Sequence, residues 1–277
     1  MPQPFDRLRT LAQSLDPDPA EASLELARLF VPDLDVAAWL ERLDSHADGV
    51  RSALRPGSAA SDVAAGIRLY LFGRLGLKGD EKSFYDPRNS FLNEVLERRL
   101  GIPISLSVAY LALARRLGLQ AAGIGFPSHF LVQVRDERGL HVIDPFQGGR
   151  ELSPAELNTR LQQVYGDGAP TVEARPALLR PAGVREILIR MLRNLKGVYQ
   201  KRGDSLDALT AIEAILALAP DLVEEVGDRG LVYRELGNTS AAAQDLRRYM
   251  EATPDAREAA KLQELLDELE QSPTRLH

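Results

Sequence analysis

The chain has no cysteine among its 277 residues, which excludes disulfides, thiolate metal sites and thiol nucleophiles. Histidine is scarce, with four copies at 46, 129, 141 and 277. Their scatter offers no metal-ligand cluster, so neither a metal nor a cofactor is expected. No apolar run approaches the roughly 18–20 residues needed to cross a bilayer. The first residues, Met1-Pro2-Gln3-Pro4-Phe5-Asp6-Arg7, lack a basic start followed by an apolar stretch, so no secretory signal is expected and the cytoplasm is the default compartment. Positive charge is also in deficit. With 34 basic against 40 acidic residues the net charge is −6, which argues against a nucleic-acid or anionic-membrane surface. What remains is ordinary for a folded protein: 44% apolar and 27% charged residues, enough for one large or two modest domains.

Periodicity divides the chain. Residues 5–75 read as helices, with Leu24, Ala27 and Phe30 on one face and Ala37, Leu40 and Leu43 on another behind an Asp33 or Asp35 cap. Pro56-Gly57-Ser58 breaks the pattern before a helix through Val63, Ile67, Leu69 and Leu71. Past a glycine-containing loop, a helix carrying Leu92, Val95 and Leu96 is expected to stop at Gly101. An apolar helix follows from Pro103 to Leu117, with proline at a first-turn position. Strands are expected around 120–126, 129–135 and 140–144, the last two joined by a turn at Asp136-Glu137-Arg138-Gly139. The order predicts an α+β domain over 1–165 with a short antiparallel sheet, then a linker at 166–181 rich in proline and small residues.

Residues 182–277 carry an internal repeat. Tyr199 and Tyr233, Gly203 and Gly237, Ala208 and Ala242, Ile212 and Leu246, Pro220 and Pro254, and Asp221 and Asp255 are each 34 residues apart. That is the period of the tetratricopeptide helix pair, although two copies are fewer than the usual minimum of about three. Gly would end each first helix, Ala would permit close helix crossing, and Pro-Asp would close the second helix. Helices at 183–196 and 255–270 would cap the array. Stacked helix pairs form a groove for a protein or peptide segment. Arg190, Arg193, Lys196, Lys201 and Arg202 make its start locally basic. Such charges form either a solvated face or a surface for a carboxylate-bearing peptide end.

The chemical candidates centre on His129 and Asp144. A strand bearing a His and a second ending in Asp-Pro can let a carboxylate orient an imidazole. The plain alternative is a loop-bonded His and an ordinary Asp-Pro turn. Alternation sets His141 apart from Ile143, toward solvent. Asn89, Asn93 and Glu94 precede the 103–117 helix and could line a pocket. Equally, Asn89 could cap the 90–99 helix and Glu94 could pair with Arg98.

Four blocks together resemble a known family: Tyr85-Asp86-Pro87-Arg88-Asn89-Ser90, Gly101-Ile102-Pro103-Ile104-Ser105-Leu106-Ser107, Gly125-Phe126-Pro127-Ser128-His129 and Ile143-Asp144-Pro145-Phe146-Gln147-Gly148-Gly149. The chain is similar over residues 35–265 to the bacterial SirB-type family, which joins a transglutaminase-like (papain-like) domain to tetratricopeptide repeats. The resemblance implies a Cys at a helix N-terminus, a His accepting its proton and an Asp orienting the His. His129 and Asp144 match the last two, and Pro103 stands where the thiol belongs. Proline supplies no nucleophilic atom and no backbone N–H for an oxyanion. Ser105 is rotated about 200° from position 103 and Ser107 about 40°, one turn deeper. The resulting expectation is a non-catalytic interaction or regulatory protein. The alternative is an amide hydrolase or acyltransferase using Ser105 or Ser107.

Overall fold

A computed structural model describes residues 5–253 and 256–271. The chain divides into two compact units. One is Thr10–Met191; the other begins at Leu192 and takes in residues 5–9.

The first unit opens with α2 (Pro19–Arg28), which follows the short α1 (Asp6–Gln13). The Asp18 carboxylate accepts from Ala20 N–H at 2.8 Å, and Pro19 fills the first helical position. Ala20, Leu24, Leu26 and Ala27 are buried. In α3 (Val36–Arg51) the cap is Asp35. Its buried face is Leu43, Ala47 and Val50, while Ala37 is exposed, so the inward stripe starts later than the spacing predicted. α4 (Ala60–Arg68) runs on as a π-helical segment, Leu69–Arg74.

Two short strands, β1 (Lys78–Gly79) and β2 (Leu100–Gly101), pair in parallel, Gly79 opposite Gly101. Between them lies α5 (Leu92–Arg98), which ends not at Gly101 but at Arg99, in the left-handed region with φ 64°. The next helix, α6 (Pro103–Arg116), is buried from Ile104 through Ala114. A helix apolar all round belongs in the middle of its domain.

The sheet is antiparallel in the order β3 (Ala121–Ile124), β4 (Leu131–Asp136), β5 (Gly139–Asp144), β6 (Arg150–Leu152). The fourth strand was not anticipated, being only three residues long. Nor was α7 (Pro154–Tyr165), although Ser153 and Glu156 form a capping box, a recognisable start signal. One face of the sheet buries Ile124, Leu131, Val142 and Leu152 against Leu157 and Leu161 of α7. Residues 166–181, expected as a linker, pack here too: Val172 is in this core, flanked by Ala169, Leu178 and Leu179. Ala182 N–H then bonds the Gly123 carbonyl at 2.8 Å, which secures the segment along the edge strand.

The second unit contains the last part of α8 (Val184–Arg202), then α9 (Ser205–Leu218), α10 (Val223–Glu235), α11 (Thr239–Ala252) and α12 (Ala256–Gln271). Gly203 and Gly237 end α8 and α10 at φ 75° and 77°. Both lie in open space, so each is used for its backbone and not for a tight crossing. Close approach occurs at two glycines the periodicity missed. A Cβ on Gly227 would meet the Tyr249 ring at 2.8 Å, and one on Gly230 would meet Leu246 at 2.9 Å. Ala208, Ala242, Ile212 and Leu246 are buried, as the repeat requires. Pro254, Asp255 and His277 lie outside the described residues. Among the described residues no helix is long and apolar enough to cross a membrane.

Candidate functional site

The site is built where the second and third strands of the sheet meet the start of α6. His129 precedes β4 and Asp144 ends β5. The His129 Nε2 lies 3.0 Å from the Asp144 Oδ1. Asp144 is fully buried, whereas the His129 side chain is 17% exposed, so the ring can be reached from outside. With Nε2–H donating to the carboxylate, Nδ1 is left as an acceptor.

The carboxylate has further partners that the sequence did not single out. Arg160 on α7 donates to its Oδ2 at 2.6 Å, and the Phe146 N–H to Oδ1 at 3.0 Å. Burial pushes the Asp144 carboxyl up, but the bond from His129 and the Arg160 charge overcome it and hold the group below its usual range. Asp144 is thus a buried anion with two cation-capable neighbours.

The link to α6 runs through Phe146. Its ring packs on the backbone of Gly79, where a Cβ would sit 2.4 Å away. Gly79 pairs with Gly101, two residues before Pro103. The Phe146 ring also stands edge-on to His129, centroids 6.0 Å apart. Phe84 lies 6.4 Å from Phe146, and Phe84 and the adjoining Tyr85 are exposed. An aromatic rim therefore adjoins the imidazole at the N-terminal end of α6.

The loop carrying His129 is held from α8. Arg190 donates to the His129 carbonyl at 2.6 Å and the Phe126 carbonyl at 3.2 Å, its guanidinium 5.6 Å from the Phe130 ring centre. Ser128 in this turn has φ 50°, a conformation side chains seldom adopt. Arg190, read as part of a basic repeat surface, instead fixes a strained turn in the first unit.

Both serines are engaged elsewhere. The Ser105 hydroxyl donates to the Asn89 carbonyl at 2.6 Å and accepts from Ile102 N–H at 3.1 Å. Ser107 donates to the Pro103 carbonyl at 2.7 Å. Each satisfies backbone in or beside α6, and neither hydrogen-bonds His129 among the described residues. Pro103 is the first residue of α6.

The three residues expected to line a pocket part company. Asn89 is a hub: it donates to Asp80 at 3.1 Å and to the Ser83 carbonyl at 2.8 Å, and accepts from Arg98 at 3.1 Å. It therefore ties the 80–90 loop to α5 rather than capping that helix. Glu94 is half-buried, and its charge acts on Arg88; Arg98 bonds Asn89 and Asp86 instead of answering it. Asn93 differs from both. It is buried, and its Oδ1 has no hydrogen-bond partner among the described residues.

His141 does not face open solvent. It stands two residues from Ile143 and so shares its face. Its Nε2 meets Asp136 at 2.9 Å and its Nδ1 meets Glu151 at 2.8 Å. Bonds to two carboxylates favour the doubly protonated ring, and the Glu151 and Asp136 bonds raise its pKa above the usual histidine value. Among the described residues, no group of three His, Asp or Glu could hold a metal ion.

In the second unit the basic residues are mostly engaged. Glu225, 2% exposed, receives Arg193 and Lys196, both at 2.7 Å, and Lys196 also reaches Asp228 at 2.5 Å. Arg202 pairs with Asp204. Arg193 and Lys196 thus hold α8 to α10, and with Arg202 they are not a ready surface for a peptide carboxylate.

Transglutaminase-like sequences match residues 37–193, and the tetratricopeptide repeat matches 195–267. The chain belongs to the transglutaminase-like superfamily. A UPF0162 protein of Xylella fastidiosa (strain Temecula1) is 42% identical over 232 residues, covering 84% of this chain and 83% of that protein. A UPF0162 protein of Pseudomonas aeruginosa is 33% identical over 251 residues, 90% of each. Mouse F-box only protein 21 is 31% identical over 188 residues, which are 64% of this chain but 28% of that protein. No solved structure matches. The family boundary at 193–195 agrees with the division of compact units at Met191 and Leu192.

Proposed function

We propose that this is a cytoplasmic, non-catalytic interaction protein of SirB type. Its transglutaminase-like domain keeps a His–Asp dyad without a nucleophile, and its helical repeats receive a protein or peptide segment. The observation that carries the reading is the first turn of α6. Pro103 begins it, both nearby serine hydroxyls are committed to backbone, and the chain has no cysteine. Without an attacking atom the dyad can orient or accept a hydrogen bond but cannot form an acyl intermediate. The serine-hydrolase alternative gains no support from this hydrogen bonding. The aromatic rim and the reachable His129 ring suit a docked segment, and tetratricopeptide repeats commonly mediate protein contacts.

The assignment of position 103 has a direct test, because Pro103→Cys would give the chain a single thiol. Next to His129 at a helix N-terminus, that thiol should alkylate with iodoacetamide at a pH midpoint well below about 8.5, and His129→Ala should return the midpoint toward that value. An ordinary midpoint unmoved by His129→Ala would sink the assignment. Catalysis has its own test in the unaltered chain. A fluorophosphonate probe should label neither Ser105 nor Ser107, and labelling abolished by His129→Ala would overturn the non-catalytic reading.

A further inference from the structure

Beneath α4 lies a cleft of about 710 Å³ that plays no part in the reading above. We propose that it is a separate binding site for a small carboxylate with a compact apolar body. Its volume is that of ordinary small-molecule sites, roughly 300–1,000 Å³. One wall is a single face of α4, where Ala64, Ala65 and Arg68 recur at helical spacing. The other is the sheet face bearing Val134 and Ile143, with Tyr110 of α6 between them. Ile143 and Asp144 are consecutive on a strand and point to opposite faces, so the cleft and the dyad are distinct.

The charges around the cleft are almost all spoken for. Asp136 is held by Arg138 and His141, and Glu151 by His141. Arg150 is taken by Glu156 and Gln147, and Asp62 accepts from the Ala59 N–H. Arg68 is the exception. It is exposed and makes no hydrogen bond or ion pair among the described residues, and its stem passes over Gly149, where a Cβ would lie 2.9 Å from the Arg68 Cγ. Tyr110, 1% exposed, has one long hydrogen bond, 3.4 Å to the Ala64 carbonyl. Burial raises its pKa against the opposing charge of Arg68, which keeps the phenol protonated as a donor.

A guanidinium fork without a partner among the described residues, and a hydroxyl whose one proton is held only by the 3.4 Å bond to Ala64 and can turn to a ligand, match a carboxylate on an apolar body beside Ala64, Ala65, Val134 and Ile143. With Asp136 and Glu151 answered by Arg138 and the charged His141, and Arg150 by Glu156, Arg68 offers one positive charge that a monoanion neutralises and a dianion such as a phosphate monoester exceeds, so the cleft favours the monoanion.

The test is a titration of the full ¹⁵N-labelled chain, followed by backbone amide shifts, with benzoate, the neutral isostere benzamide, and phenyl phosphate. Benzoate should give saturable shifts at residues 61–68 and 148–151, with benzamide at least tenfold weaker. Arg68→Gln should bring benzoate down to the benzamide level without moving the thermal melt, and Tyr110→Phe should weaken it several-fold. No saturable benzoate shifts, equal binding of benzamide, or unchanged affinity in Arg68→Gln would overturn the site. Tighter binding of phenyl phosphate than of benzoate would overturn the monoanion assignment. None of these outcomes bears on the dyad.

Discussion

Asp144 and His129 contribute unequally because their surroundings are unequal. Asp144 is fully buried and bonded by His129, Arg160 and the Phe146 N–H, whereas His129 has the carboxylate and partial exposure. Removing the anion strands Arg160 and a ring N–H; removing the ring leaves an anion that still has a cation. In urea melts Asp144→Ala should therefore cost about 3 kcal/mol and His129→Ala about 1–2 kcal/mol. The double variant should cost less than the sum, and strict additivity would show that the hydrogen bond contributes nothing. Asn93 makes the opposite case. Its buried Oδ1 lacks a partner among the described residues, so the fold carries a desolvated acceptor of about 1–3 kcal/mol with no return. Asn93→Leu, close in volume, should leave the urea midpoint unchanged or raise it. A loss of about 2 kcal/mol or more would mean that the amide is satisfied in solution by something the chain alone does not supply.

Among the helices, glycine does two different jobs, and substitution separates them. Gly230→Ala would drive a methyl into Leu246 across the α10–α11 contact and should cost about 1–3 kcal/mol. Gly203→Ala meets nothing but must hold a left-handed backbone, so its cost should be about 1–2 kcal/mol and Gly203→Asn should recover part of it. Equal costs for the two glycine-to-asparagine changes, Gly203→Asn and Gly230→Asn, would contradict that division. The same contrast explains what the sequence could disclose. A 34-residue spacing exposes Gly203 and Gly237 because helix ends recur with the repeat. Gly227 and Gly230 have no counterparts 34 residues earlier, where Arg193 and Lys196 stand, so nothing periodic marked them. β6 escaped because three residues carry no alternation. Arg160 escaped because a helical Arg is ordinarily solvated, and only the fold brings it to Asp144. The contact between His129 and Asp144 was legible because contiguous motif blocks carried both residues.

At the scale of the whole chain these local charges add up to a response to pH with two opposing histidine contributions. His141, bonded by Glu151 and Asp136, has a raised folded pKa. Its contribution is fully present below the unfolded value of about 6.5 and is lost as pH rises through the folded one. His46 is desolvated beside Arg42 and bonded to Tyr70, and its folded pKa is lowered. Protons bind its unfolded form more readily, so its effect removes stability as pH falls below about 6.5. At the acid end Asp136, held at about 2 chiefly by Arg138, and Asp144, also lowered, contribute above the unfolded value near 3.9 and lose that contribution as pH falls toward their folded values. A single melt profile mixes these terms, so the informative quantity is the difference between chains. The stability gap between the unaltered protein and His141→Gln, from urea midpoints at pH 5, 7 and 9, should be largest at pH 5 and shrink toward pH 9. The gap against His46→Gln should instead move in the direction that favours the unaltered protein as pH rises. A gap for His141→Gln that is constant from pH 5 to 9 would show that the ring does not exchange its proton between folded and unfolded chains in this range, and that the bridge between Asp136 and Glu151 is held without a charged imidazole.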